Sequence, residues 1–192
     1  MPRHAEFDAE VALDLAMQQF WSHGYNNTSI EDLVNATGVS RYGLYGTFGD
    51  KRALFIKALD NYCDHVVTGR LQQLEAEGAG WLELEAFFNG FVELAKDPQS
   101  HTGCLILNTA IELAPYDATI RKQVDGAMTR FQTGFRNALR NAKTAGDVSN
   151  VDLVVDADVL VGLTQAIFLF LRLPNSASRI KNMVDGVLSK LR

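Results

Sequence analysis

Apolar residues recur along this chain three or four positions apart, the period of an α-helix, rather than alternating as in a half-buried β-strand. In residues 7–23 one face collects Ala9, Leu13, Ala16, Met17 and Phe20, and Gly24 follows as a helix stop. Segments 81–95, 103–114, 117–145 and 152–173 share this period and are separated by glycine or proline, and a further one follows Pro174. No convincing alternating run and no internal repeat is found. The sequence therefore predicts an all-α fold of about nine helices.

Polar residues at the ends of the shorter segments predict where helices begin and stop. Thr28 and Glu31 have the spacing of a capping box, in which each side chain bonds the backbone beside the other. Gly38 is expected to end the helix that opens there. Ser40 and Asp50 are expected to cap the two helices that follow.

Composition narrows the class of protein. The 192 residues are 47% hydrophobic and 21% charged, which is ordinary for a globular chain and excludes a disordered one. Two cysteines are too few for a disulfide-stapled secreted domain. Residues 1–10 lack the apolar core of a signal peptide, and charges interrupt the apolar stretch 154–173, which favours a buried helix over a membrane span. We therefore expect a cytoplasmic protein without a membrane partner.

The segment with the clearest chemistry is residues 28–51, TSIEDLVNATGVSRYGLYGTFGDK, in which two short helices meet at a turn around Gly38. This is the pattern of a helix-turn-helix, whose second helix lies in the DNA major groove. Its inward positions are predicted to be Val39, Leu44 and Phe48, and its outward positions Arg41, Tyr42, Gly43, Tyr45 and Thr47. The chain carries a net charge of −5, yet residues 40–57 hold four basic residues against one acidic. Positive charge is therefore concentrated where DNA would lie.

The run SIEDLVNATGVSRYGLYGTFGDKRALF resembles the N-terminal domain of the tetracycline-repressor (TetR) family of transcriptional regulators, at the positions Thr28, Gly38-Val39-Ser40, Leu44-Tyr45, Phe48 and Lys51. The resemblance implies a helix-turn-helix domain over 1–50, continuing into a linking helix over 51–68. It implies a regulatory, effector-binding and dimerisation domain over 51–192. The expected function is that of a sequence-specific DNA-binding regulator, commonly a repressor, with neither enzymatic activity nor a metal or cofactor.

The resemblance also suggests which side chains contact DNA. Thr28 and Tyr45 would hold phosphates through their hydroxyls, and Lys51 would add a charge at a helix N-terminus that already favours an anion. Arg41 and Tyr42 would read base edges, because a guanidinium grips guanine bidentately. The full expected set is Thr28, Ser40, Arg41, Tyr42, Gly43, Tyr45, Thr47 and Lys51. At Gly43 and Gly46 the chain departs from the family pattern and offers only backbone, so we expect close approach of the helix to the groove.

The apolar helix over 154–171 must be covered on more than one face. The simplest cover is the body of the protein on one side and a second copy on the other, so we expect a homodimer through the last two helices. A twofold dimer would place two recognition helices roughly 34 Å apart, which predicts a nearly palindromic double-stranded DNA operator.

Aromatic stripes in the larger part of the chain can be ordinary core or the lining of a ligand pocket. Combined with polar anchors they have the composition of a small-molecule site. On the strength of the resemblance we expect a small apolar effector to bind there and to release the DNA. The predicted lining is Phe87, Phe88, Phe91, Asn108, Phe131, Phe135, Gln165 and Phe168.

Three alternatives remain open at this stage. Cys63, His65, His101 and Cys104 are potential metal ligands, and Cys63 or Cys104 could act as a redox switch, although buried structural cysteines explain them better. A helical enzyme lacks support, because no GxSxG, HExxH or P-loop motif is present. A helical adaptor without DNA binding is the third. The sequence leaves the effector, the operator and the regulated genes undetermined.

Overall fold

The computed structural model describes residues 7–97 and 103–192, and within them every regular element is helical. The helices are α1 (Ala9–His23), α2 (Ile30–Thr37), α3 (Arg41–Phe48), α4 (Lys51–Tyr62), α5 (Thr68–Leu71), α6 (Trp81–Leu94), α7 (Leu105–Glu112), α8 (Ala118–Ala145), α9 (Val155–Leu171) and α10 (Ala177–Leu191). A π-helical turn, Cys63–Val67, joins α4 to α5 without a break. When α4, the π-helical turn and α5 are counted as one continuous helix, the described part of the chain has nine helices, which confirms the predicted all-α fold.

The chain divides into two compact units, and the division is discontinuous. The first unit contains the described residues up to Val67 together with Leu105–Val124. The second contains Thr68–Cys104, apart from the five residues outside the description, and Asp125–Arg192. The predicted domains, 1–50 with a linking helix over 51–68 and then 51–192, stay a prediction. Here α4, α7 and the first two turns of α8 pack with the helix-turn-helix.

The first unit is built on α1, which packs against α4 and α2. Its core is aromatic: the Phe20 and Phe55 rings lie edge to face with centroids 5.0 Å apart, and the Tyr25 ring meets Phe55 at the same distance. Edge-to-face packing of this kind adds about 0.5–1.5 kcal/mol per pair beyond the area buried. These contacts fix α4 and the loop before α2 on one scaffold.

Helix caps follow the predicted positions with one correction. Ser40 accepts a hydrogen bond from the Gly43 N–H at 3.2 Å, and Asp50 accepts one from Ala53 N–H at 2.7 Å. The predicted Thr28–Glu31 capping box is wrong, because the box is one residue later. The Ser29 backbone N–H donates to Asp32 Oδ2 at 2.7 Å, and the Asp32 N–H donates to Ser29 Oγ at 3.0 Å. Both pairs satisfy the same spacing rule, so spacing alone does not choose between them.

The second unit contains α6, α9 and α10 with most of α8. Helix α10 packs against α6 and α9. An aromatic cluster fills the unit, with the Phe87 ring within 5.3 Å of Phe88, Phe91 and Phe135 and the Phe91 ring 5.1 Å from Phe168. Each of the rings except Phe87 is almost completely buried.

Other sequence expectations have these outcomes. Across the described ranges, no helix has the length and apolar character needed to cross a membrane. The same residues contain no group of three potential metal ligands, and His101 lies outside the description. Cys63 is half-buried in the π-helical turn and Cys104 is buried, and neither is in a disulfide with the other described cysteine.

Candidate DNA-binding surface

Helices α2 and α3 form a helix-turn-helix because one glycine reverses the chain between them. Gly38 has φ 70° and ψ 6°, the left-handed conformation that glycine adopts without steric cost, and its N–H donates to the Val34 carbonyl. Val39, Leu44 and Phe48 then point inward and are 7%, 0% and 7% exposed. The predicted inward set is confirmed, and its burial fixes which face of α3 remains outside.

The outer face of α3 carries the polar and aromatic side chains that were predicted to meet DNA. Arg41, Tyr42, Gly46 and Thr47 are exposed and Tyr45 is half-exposed, with Tyr42 80% accessible. Arg41, Tyr42, Tyr45 and Gly46 have the i, i+1, i+4, i+5 spacing of a single helix face. An arginine and a large aromatic residue therefore stand side by side on one convex surface.

Arg41 lies on this surface and has only weak partners among the described residues. Its Nη2 lies 3.6 Å from Glu31 Oε1, and its guanidinium carbon lies 6.0 Å from the centre of the Tyr45 ring. Both members of the ion pair are well exposed, and such pairs contribute only about 0–1 kcal/mol. Arg41 can therefore leave Glu31 for a base edge at little cost.

Two residues of the predicted set are placed differently. Gly43 was expected to face outward and is buried instead. Thr28 is 0% exposed, and its hydroxyl donates to the Gly24 carbonyl at 2.7 Å, so this side chain braces the loop before α2. Gly43 is needed for packing: a Cβ there would lie 2.8 Å from Val39 Cγ1, below any ordinary contact distance. Helical spacing misplaced Gly43 because a residue without a side chain gives no hydrophobic signal.

Alanine at Gly43 and at Gly46 is expected to have opposite effects on folding. At Gly43 the added methyl meets a stiff, buried valine, and overpacking of this kind costs about 1–3 kcal/mol, so we expect a net loss of about 1–2 kcal/mol. At Gly46 a Cβ meets nothing within 4 Å, and alanine is expected to stabilise the helix by about 0.5–1 kcal/mol. Urea denaturation of both variants tests this. Equal effects of the two substitutions would contradict it.

Lys51, at the start of α4, is held by a residue that the sequence did not single out. Its ammonium lies 4.3 Å from the centre of the Tyr25 ring. Partial burial lowers the pKa of Lys51, and the negative charges of Glu112 and Asp32 raise it by a smaller amount. The Glu112 carboxylate at the end of α7 accepts from the backbone N–H groups of Tyr25 and Asn26, at 3.0 and 2.6 Å. Glu112 thus fixes the loop on which Lys51 rests. Only the tertiary structure brings this glutamate, 87 residues away, to Tyr25.

The next residue of α4 ties this end of the first unit to α8. Arg52 donates through Nε to Asp117 Oδ2 at 2.6 Å and through Nη2 to Asp117 Oδ1 at 3.0 Å, a bidentate pair. The Arg52 guanidinium, with the Ile120 and Thr119 N–H groups, holds the pKa of Asp117 at about 2 rather than 3.8. The start of α4, beside the expected phosphate contacts, is therefore anchored both by the contact of Lys51 with Tyr25 and by the pair of Arg52 with Asp117.

The lowered pKa of Asp117 predicts a specific acid sensitivity. Because the folded-state pKa is below the unfolded one, the ionised carboxylate stabilises the fold above about pH 4, and this contribution disappears between about pH 4 and pH 2. We expect Asp117→Asn to be less stable than the parent near neutrality, with the difference shrinking toward about pH 2. Urea titrations across that pH range measure the difference in the free energy of unfolding, with Asp125→Asn, at an exposed position of α8, as the control. A difference that does not change with pH would contradict the assignment.

The residues of the predicted effector lining are divided between the two units. The six phenylalanines belong to the second unit and form one contact network. Gln165 is in the same unit, and neither Nε2 nor Oε1 of its buried amide has a hydrogen-bond partner among the described residues. Asn108 belongs to the first unit and is likewise left with an unpartnered Nδ2 in this part of the chain.

Comparison with known proteins identifies the family. The family described as "Bacterial regulatory proteins, tetR family" matches residues 12–58, which contain the helix-turn-helix. A second, "Tetracyclin repressor-like, C-terminal domain", matches residues 80–187, more than half of the chain. The chain belongs to the TetR family. Membership makes it a DNA-binding transcriptional regulator and decides against the enzyme and the adaptor.

Relatives of known name agree with this assignment. The uncharacterized HTH-type transcriptional regulator YezE of Bacillus subtilis (strain 168) is 31% identical over 157 residues, covering 82% of this TetR-family chain and 81% of its own. The HTH-type transcriptional repressor ComR of Escherichia coli (strain K12) is 36% identical over 110 residues, covering 57% and 52%. Among solved structures, a cysteine mutant of the TetR family regulator CifR, complexed with 26 bp double-strand operator DNA, superimposes with a TM-score of 0.84 at 22% identity over 100% of both chains.

Proposed function

We propose that this TetR-family regulator is a repressor that binds a nearly palindromic operator as a homodimer and is released by a small effector. The observation that carries the proposal is the face of α3, where Arg41 and Tyr42 stand exposed on a helix held from behind by buried Val39, Leu44 and Phe48. A helix that only packed against the body would gain nothing from an 80% exposed tyrosine at its start. The related ComR is named a repressor, which favours repression over activation.

Each exposed residue of the surface has a proposed role. Arg41 and Tyr42 read base edges, and Ser40, Tyr45, Thr47 and Lys51 contact phosphates. Thr28 and Gly43 support the surface from within, since both are buried. Gly46 offers open backbone on the reading face, which allows α3 to approach the groove closely. Because few cations take part in each subunit, one half-site alone would bind weakly.

Dimerisation is supported by an apolar stripe along α9. Val155, Val159, Leu169 and Leu173 are 46–56% exposed, although valine and leucine normally avoid water on this scale. With Gly162 and Ala166 they follow one another at intervals of four, three, four, three and four residues, the 3.5-residue repeat of a helix–helix seam. The exposed Gly162 would let two backbones approach closely. A second copy of the same helix, related by a twofold axis, covers such a stripe.

Effector release is supported by the aromatic cluster of the second unit, which combines apolar rings with an unpartnered amide at Gln165. A ligand that bound there more tightly in one arrangement of the dimer would favour that arrangement and change the spacing of the two α3 helices. The predicted cytoplasmic location stays a prediction.

The deciding experiment is footprinting of the purified protein on genomic DNA, followed by gel shifts on the protected fragment over a range of salt. We expect a protected site with two inverted half-sites about one helical turn apart and affinity that falls steeply with salt. Absence of a sequence-selective, salt-sensitive complex would overturn the proposal. Transcription from the adjoining promoter in the presence and absence of the protein separates repression from activation.

A further inference from the structure

We infer that the effector site takes a small organic monoanion, a carboxylate with an apolar body, and that Arg70 is the residue that recognises its charge. The inference deepens the proposed effector control, on which it rests. Arg70 lies in the four-residue helix α5, and no pattern in the sequence singles it out. In the structure its guanidinium carbon lies 5.3 Å from the centre of the Phe91 ring and 5.4 Å from that of Phe168.

Arg70 lies against two aromatic rings, and no ion pair involves it among the described residues. Phe91 and Phe168 are 3% and 1% exposed, and their ring centres are 5.1 Å apart at an angle of 87°. The Arg70 Nε is buried and has no hydrogen-bond partner within the described residues, and no carboxylate there forms an ion pair with it. Arg70 as a whole is half-buried, so its Nε is the part of the guanidinium that is cut off from water. A buried charged N–H without an acceptor is unfavourable, and two aromatic faces offset only part of this cost.

Gln165 points to the same chemistry from α9. It precedes Phe168 by three residues, so both start from one side of the helix. Both polar atoms of its amide are buried without a partner among the residues that the structure describes. Most buried polar groups in native proteins are paired, and exceptions concentrate at functional sites. Among the described residues, a guanidinium N–H beside the Phe168 ring and an amide three residues before Phe168 on α9 both lack partners, and together they favour a ligand that supplies hydrogen-bond acceptors.

The charge and shape of the cluster select the ligand class. A guanidinium presents N–H donors in a planar fork that matches a carboxylate. One guanidinium neutralises one negative charge, so a phosphate dianion would keep uncompensated charge beside phenylalanine rings. The rings suit an alkyl or aryl body. A carboxylic acid of medium size with an apolar tail satisfies all of these features.

Calorimetric titration of the full-length protein, without DNA, tests the inference with matched probes. Hexanoate, octanoate and hydrocinnamate are each compared with the corresponding neutral amide, and hexyl phosphate represents the dianions. We expect at least one acid to bind about ten- to a hundredfold more tightly than its amide, because charge-assisted hydrogen bonds are lost in the amide. If no acid binds more tightly than its amide, or if hexyl phosphate binds more tightly than the acids, the inference is overturned.

Variants assign the preference to Arg70. Arg70→Met keeps the apolar stem and removes the charge, and we expect it to fold at least as stably as the parent and to lose the preference for the acid. Arg70→Gln is the second variant should the methionine form fail to fold. Arg140→Met, an exposed arginine of the same unit, is the control and is expected to keep the preference. Retention of the preference in both Arg70 variants, or its loss in the control, would overturn the assignment.

A gel shift with the same probes separates this inference from the proposed effector control. If an acid binds through Arg70 and leaves operator affinity unchanged, the monoanion site stands and release by its ligand fails. If neutral amides release the DNA and acids bind no better than they do, effector control stands and the monoanion site fails.

Discussion

Replacement of Val159 by glutamate is expected to convert the protein into a monomer and to reduce operator affinity at least ~100-fold. Val159 is 46% exposed within the α9 stripe, so the substitution is expected to do little to the folded monomer. In a dimer that pairs these stripes, each subunit would bury one carboxylate in an apolar contact, at a cost of several kcal/mol for each charge. Two half-sites joined in one dimer gain about 10²–10⁴ in affinity over separate ones, and the monomer forfeits that gain.

Sedimentation equilibrium and gel shifts on the footprinted operator measure the two effects of Val159→Glu. Val11→Glu is a matched control, since Val11 is similarly exposed, at 53%, on α1 in the first unit. We expect the control to stay dimeric and to bind the operator normally. A dimeric Val159→Glu protein would show that α9 is not the subunit contact. A monomer with full operator affinity would separate dimerisation from DNA binding.

The second large effect is expected at α3, where Arg41→Ala and Tyr45→Phe should differ in kind as well as in size. In its proposed role as base reader, Arg41 would supply a bidentate base contact of about 1–3 kcal/mol in each half-site, so Arg41→Ala is expected to weaken binding about 5- to 150-fold per half-site. The loss falls on the preferred base, so selectivity at that position relaxes. Tyr45→Phe removes one phosphate hydrogen bond of about 0.5–1.5 kcal/mol and weakens all sequences alike.

Binding to the operator and to a panel with single base changes distinguishes these two roles. Glu31→Gln removes the weak partner of Arg41 and is expected to raise affinity slightly without changing selectivity. Tyr116→Phe, at an 88% exposed tyrosine outside α3, controls for the loss of a phenol hydroxyl. If Arg41→Ala weakened every sequence equally while Tyr45→Phe changed base preference, the proposed roles would be reversed, with Tyr45 at a base edge and Arg41 at a phosphate.

These two predictions differ in how far they follow from sequence. Periodicity indicated an apolar α9, but it described the helix as apolar all round. The structure shows which residues remain outside once α6, α8 and α10 are in place. On α3 the sequence was sufficient to predict that Arg41, Tyr42 and Tyr45 lie on the outer face, because side chains of distinct polarity mark the two faces of a short helix. It failed at Gly43, where the decisive quantity is the 2.8 Å from a missing Cβ to Val39.

The all-α class, the helix-turn-helix and the exposure of Arg41, Tyr42 and Tyr45 on α3 follow from the sequence without the structure. Those features depend on neighbours within about one or two helical turns, where glycine, cap residues and apolar spacing act directly. The shifted capping box, the Glu112 and Asp117 anchors and the position of Arg70 against Phe91 and Phe168 became visible only in the folded chain. Each of the last three depends on which distant residue lies beside a charge, and the energy of a charge is set by its partners and its exposure to water.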